Sequence, residues 1–196
     1  MRDDETISVV EDISMVYNQE NDEAKYQISY IQNGTLHTAM VEDNVLCTYE
    51  GFSQSTYWTT GDLPNIPSNK NEIKKGDIIK FALNSQGEIS KICLMYDAEN
   101  HVVCYDVVST SNRVCSVQPA KINIIDDTFC EMTFVNRGDI ERGNLKNCRV
   151  IIVDETVRNV LVTVGTLEDI SKDDLVVFYA RYNENRVAVV YKGYIG

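Results

Sequence analysis

Two histidines, His37 and His101, are the chain's only imidazoles for acid–base work near neutral pH. Serine or cysteine nucleophiles need such a base beside them, with a third group to orient it. His101 lies three positions before Cys104, the one local pairing of this kind. Residues three apart on a strand point to opposite faces, which opposes a dyad. His37 follows an Asn-Gly turn in "TLHTAM" and is expected to face solvent. Carboxylate neighbours such as Asp126-Asp127 and Glu42-Asp43 could serve glycoside hydrolysis, but 30 acidic residues make such neighbours commonplace. No catalytic residues are assigned.

Metal and cofactor chemistry is equally sparse. Cysteines stand at 47, 93, 104, 115, 130 and 148, and none form a C-x-x-C pair, so zinc-ribbon and thioredoxin-like readings fail. Cys93 in "KICLMY" and Cys148 in "NCRVIIV" fall within apolar strand patterns, which suits buried, unreactive thiols. An even count permits disulfides in an exported chain without requiring them. Calcium at "VDE" or "KDD" needs no motif, but neither an EF-hand nor a glycine-rich phosphate loop is present. No metal and no cofactor are expected. The "RGD" at 137–139, inside "NRGDIERGN", reads as a polar turn. The sequon Asn33-Gly34-Thr35 is already explained by the hairpin described below.

Tyr57 and Trp58 are the residues with most to offer a ligand. Trp58 is the sole tryptophan, in a polar stretch ("YEGFSQSTYWTTGDLPNIPSNKNE") that contains two of the three prolines. An adjacent aromatic pair on a long loop could stack on a sugar ring or anchor a protein partner. The competing reading has the two rings folding back to plug the end of a barrel.

Composition narrows the partners. The 196 residues are 43% hydrophobic and 24% charged, ordinary for a globular protein. The net charge of −12 opposes phosphate backbones and anionic lipid headgroups. Nucleic acid is therefore not an expected partner. No apolar run approaches the roughly 20 residues of a membrane helix, so membrane insertion is not expected. The opening "MRDDETISVV" lacks the basic-then-apolar pattern of a signal peptide, which fits either synthesis without export or a mature fragment.

Strands are expected almost throughout. "ISVVEDISMVY", "YQISYIQ", "KINIID", "FCEMTFV", "CRVIIV" and "NVLVTVG" are short, rich in β-branched and aromatic residues, and bounded by polar breaks. Asn33-Gly34 supplies the two positive-φ positions of a type I′ hairpin. No stretch carries capped helical periodicity beyond a single turn near "LEDISKDD" or "GDIERGN".

One hairpin occurs twice. "IKKGDIIKFALNSQGEISKI" (73–92) and "ISKDDLVVFYARYNENRVAVV" (170–190) share a lysine-containing turn, an alternating strand, a polar tip and a return strand. Ile79, Phe81 and Leu83 match Val176, Phe178 and Ala180, placing phenylalanine at the centre of both apolar faces. Gly76 matches Asp173, since aspartate also enters left-handed backbone readily. Ile92 is matched to Val190 by giving the second tip one extra residue. Upstream, "VEDNV" (41–45) matches "VDETV" (153–157), which leaves about 15 extra residues in the first copy, within a loop at about 51–72. The expectation is an all-β protein of two tandem small barrels or sandwiches related by duplication, at 1–103 and 104–196, with five to seven strands each.

The pattern of an acidic strand, a lysine-x-glycine-aspartate turn and an I-x-F-x-L hairpin resembles the β modules of clostridial cell-surface proteins found beside S-layer-homology domains. It covers about a quarter of the chain: 41–45 with 73–92, and 153–157 with 170–190. The resemblance implies a non-catalytic structural module of a cell surface or fibre, extracellular, with neighbouring modules or other proteins as partners. The six cysteines depart from that pattern and leave a phage particle or a cytoplasmic role open. The alternative function is carbohydrate or protein binding through the 51–72 loop.

Overall fold

The computed structural model describes residues 7–19, 23–48, 55–59, 65–66, 71–104, 115–181 and 184–195. The described residues are nearly all strand, with a single 3-10 turn at Leu167–Asp169. The chain divides into two compact units, Met1–Tyr105 and Asp106–Gly196.

Unit 1 begins with a meander of β1 (Ser8–Asn18), β2 (Glu23–Gln32) and β3 (Thr35–Thr48). β4 (Ser55–Thr59), the two-residue strands β5 (Asn65–Ile66) and β6 (Asn71–Glu72), β7 (Ile78–Leu83), β8 (Ile89–Asp97) and β9 (Val102–Val103) follow. β1 pairs with both β2 and β7, β7 pairs with β8, and β8 returns to pair in parallel with β3. Those five strands close a barrel, which leaves no unpaired edge within the ring. Val10, Ile28, Val41, Val45, Ile79, Ile89 and Ile92 fill it, each fully buried.

Unit 2 repeats the order. It contains β10 (Cys115–Asp126), β11 (Phe129–Phe134), β12 (Ile140–Asn144), β13 (Arg149–Asp154), β14 (Leu161–Gly165), β15 (Leu175–Arg181) and β16 (Glu184–Lys192). β10 pairs with β11 and β15, β15 with β16, and β16 in parallel with β13. What is one long strand in unit 1, β3, is here two strands. A turn in which the Cys148 amide donates to the Leu145 carbonyl (2.8 Å) separates β12 from β13.

The Asn33-Gly34 turn has φ of 56° and 78°, and Gln32 faces Thr35 across it, the expected two-residue hairpin. Gly76 and Asp173 both occupy left-handed backbone, at φ of 95° and 73°. The hydrogen bonds around them are the same in each unit. Gly76 donates its amide to Val10 (2.8 Å), and Val10 donates to the Asp77 carbonyl (2.9 Å). Asp173 donates to Ile122 (2.8 Å), and Ile122 to the Asp174 carbonyl (3.1 Å). Asp77 Oδ2 accepts the Lys74 amide and Asp174 Oδ2 the Ser171 amide, both at 2.7 Å. Val10 and Ile122 each sit beside a register shift, at Val10/Asp12 and Ile122/Ile124, so the turn grips a bulge in the first strand of its unit.

Three sequence matches require correction. Phe81 faces Ile92, whereas Phe178 faces Ala188, so Ile92 corresponds to Ala188 and not to Val190. The second tip is one residue shorter: both hairpins have a bulge one residue past the phenylalanine, at Ala82/Leu83 and Tyr179/Ala180, so the difference lies in the tip itself. "VEDNV" lies inside β3, but "VDETV" runs off the end of β13 into the bend before β14, so the two are not equivalent. Phe178 is fully buried as expected, while Phe81 is only half-buried and sets its ring edge-on against Tyr30 at 4.7 Å. Leu83, at the end of the same face, is 45% exposed.

Phe178→Ala is expected to cost roughly 3–5 kcal/mol, and Phe81→Ala about half as much, in denaturant melts. Equal losses would mean that the two rings are equally packed. Gly76→Val is expected to cost roughly 1–3 kcal/mol because of its left-handed backbone. Gly76→Asp should cost clearly less, since aspartate already fills the matching position in unit 2.

Candidate functional site

The chemistry-bearing residues of the sequence are spread over both units. Asn33-Gly34 turns the chain so that His37 faces Tyr30 on β2, and the two rings stack at 5.5 Å. His37 is solvent-exposed, as expected. Its register position in unit 2, opposite Met132, is held by Glu141.

His101 and Cys104 turn to different partners. His101 has φ of 52°, in the tight connection between β8 and β9, and its Nδ1 lies 3.3 Å from the Tyr96 hydroxyl. The Cys104 thiol donates to the Val102 carbonyl at 3.6 Å and is 3% exposed. Burial pushes that thiol up to about 12, with the carboxylates of Asp97 and Asp77 adding to the effect. Burial likewise raises Cys130 to about 11 and Cys148 to about 12. A nucleophile needs the thiolate, so these three cysteines are unreactive near neutral pH.

The carboxylates considered for catalysis or calcium have other occupations. Asp154 accepts from the amide and hydroxyl of Thr156, and these bonds hold it below its usual range. Asp173 lies 3.8 Å from Lys121, and Asp174 is paired with Lys192. Asp127 occupies the β10–β11 turn with φ of 51°. Among the described residues no group of three or more His, Cys, Asp or Glu side chains is placed to hold a metal ion. The RGD segment forms the β11–β12 turn, with Gly138 donating to Phe134 (2.7 Å) and the Arg137 guanidinium 4.6 Å above the Phe134 ring.

Tyr57 and Trp58 belong to β4, an edge strand whose backbone pairs Leu46 with Tyr57 and Val45 with Trp58. Their side chains lie outside the described residues. β14 occupies the matching place in unit 2, so the aromatic pair stands on an element common to both units. The extra length of unit 1 comes after it: the stretch from Thr59 to Ile73 is nine residues longer than that from Gly165 to Ile170. The sequence had put Tyr57 and Trp58 inside the insertion, because the mismatched "VDETV" set its starting point.

Sequence reasoning passed over Asp77, a carboxylate 1% exposed. Its two oxygens accept the amides of Lys74 (2.7 Å) and Ala98 (2.9 Å), tying the turn to the end of β8. Burial raises its carboxyl to about 7, and the nearby Asp97 charge acts in the same direction, against the two amides. The only sequence sign was an aspartate next to a left-handed position, in the lysine-x-glycine-aspartate turn.

No helix among the described residues is long and apolar enough to cross a membrane. No protein-family model matches the chain, and no curated protein matches it in sequence.

In the native protein, Cys104, Cys130 and Cys148 are expected to label slowly with a thiol reagent at pH 7.5, and rapidly after unfolding. Fast native labelling of Cys104, assigned by peptide mapping, would restore it as a candidate nucleophile.

Proposed function

We propose that the protein is a non-catalytic structural or assembly module of a bacterial cell surface or fibre, with two β units placed in series by duplication of one ancestral unit. One observation carries this reading. The features common to both units are those of the frame: strand order, the bulge in the first strand, and the turn that grips it. The residues with chemistry to offer are not repeated. His37 gives way to Glu141, and β4 carries Tyr57 and Trp58 where β14 carries no aromatic residue. A chain that repeats its frame and not its polar site is suited to bearing contacts with neighbouring modules. The resemblance to clostridial surface modules points to an extracellular setting, with a virion or the cytoplasm as the alternative.

Binding of carbohydrate or a protein through Tyr57 and Trp58 is the second reading. It is favoured by their position on an edge strand, where an added chain or ligand meets fewer obstructing elements.

Light scattering over a wide concentration range, with electron microscopy of the concentrated protein, tests the first reading. End-to-end oligomers or fibres are expected. A strict monomer at high concentration that instead binds a glycan, with the binding lost in Trp58→Ala, would replace it with the second.

A further inference from the structure

Each unit departs from the shared frame at one exposed place. Val10 and Ile122 stand just before the bulge, Val10 opposite Tyr30 and Ile122 opposite Met132. Past the bulge, Asp12 therefore corresponds to Ile124, and the pair Ser14–Gln27 to the pair Asp126–Phe129. Unit 2 turns back at that pair. In unit 1 the ribbon of β1 and β2 continues for four more pairs, from Met15 with Tyr26 to Asn18 with Glu23. Side chains alternate, so Met15, Tyr17, Ala24 and Tyr26 share one face of this extension, and none is charged. Met15 is 60% exposed and Tyr17 56%, and Ala24 is exposed as well.

Unit 2 departs on the outward face of β10, β11 and β12. Ile124 and Phe129, 56% and 61% exposed, take the places that Asp12 and Gln27 hold in unit 1. The frame thus requires an apolar side chain at neither position. Ile124 faces Glu131 and Phe129 faces Asp126, which makes the two apolar residues diagonal neighbours. Beside them stand Arg142, opposite Glu131, and Lys146, exposed just past β12. The Arg142 side chain is 81% exposed, so its ion pair with Glu131 leaves the guanidinium open to a further carboxylate. Each unit exposes apolar surface at a place where the other has none.

Charge decides what covers the ribbon. Unit 1 holds 17 of the 30 acidic residues but 7 of the 18 basic ones, and unit 2 the remaining 13 and 11. In sequence, "NQENDE" (18–23), where β1 gives way to β2, carries three acids and no base. Two ribbons brought together would set like charges side by side, which opposes pairing of ribbon with ribbon. Against the Ile124–Phe129 face, the same acids meet Arg142 and Lys146. The chain thus carries both complementary surfaces, so a second copy can supply the partner.

We propose that the β1–β2 ribbon of one copy seats on unit 2 of a second copy, with Met15 and Tyr17 against Ile124 and Phe129. This contact rests on the assembly reading above and gives it a specific interface. It is heterologous: ribbon and face are different surfaces, so each added copy leaves one of each open, and growth continues into a ring or a filament.

Sedimentation of the full chain over a wide concentration range tests it. Wild type is compared with Met15→Lys on the ribbon and with the double variant Ile124→Asp/Phe129→Gln, which gives unit 2 the residues of unit 1. Each variant alone should need a concentration higher by about tenfold or more to assemble. Mixed in equal amounts, the two should form a two-chain complex and stop there, because one intact ribbon meets one intact face. Assembly of either variant at the wild-type concentration, or a mixture that stays monomeric, overturns the contact and leaves the assembly reading standing. A wild type that is monomeric at every concentration removes both. Thermal melts check folding; should Met15→Lys fail to fold, Ala24→Lys replaces it, and Phe129→Gln alone replaces the double variant.

Discussion

A turn that holds a bulge organises each unit. A bulge leaves backbone groups of the first strand without ladder partners, and such groups must be satisfied inside the protein. In unit 1 the Val10 amide and carbonyl find the Asp77 carbonyl and the Gly76 amide; in unit 2 Ile122 finds Asp174 and Asp173. The exchange needs one residue at positive φ, supplied by glycine in one unit and aspartate in the other. It also sets the register between the first strand and the fourth barrel strand, β7 or β15. Once those are aligned, the hairpin brings β8 or β16 round to its parallel partner.

The aspartate after the left-handed residue gives the turn its second function. By capping the amide three positions back, it holds the turn closed from within. Its other contact differs between the units: the Ala98 backbone amide behind Asp77, the Lys192 ammonium behind Asp174.

The thiols follow from the same packing. Cys104 belongs to the unit 1 core and Cys130 to that of unit 2, with Cys148 packed against the latter. They serve as small apolar side chains, and burial suppresses the ionisation that reactivity requires. The exposed polar turns, including the one that contains Arg137, Gly138 and Asp139, are closed by their own backbone and ring contacts. What the chain repeats is a strand order and the turn that grips its first strand.

The sequence by itself determined what is local. Alternation with a period of two announced strands, Asn33-Gly34 announced a type I′ turn, and Gly76 with Asp173 announced left-handed backbone, because each depends only on the φ and ψ preferences of the residues concerned. The position of His37 past the turn was legible for the same reason. Tertiary structure decided the register beyond each turn. One residue more or less in a hairpin tip shifts the pairing of the whole return strand, so Ile92 takes the place of Ala188 rather than Val190, and "VEDNV" and "VDETV" part company although they look alike. The tie from Asp77 to the Ala98 amide was hidden as well: 20 residues of hairpin lie between the two, and a bulge between Ile78 and Ile79 fixes which end of β8 comes back to the turn.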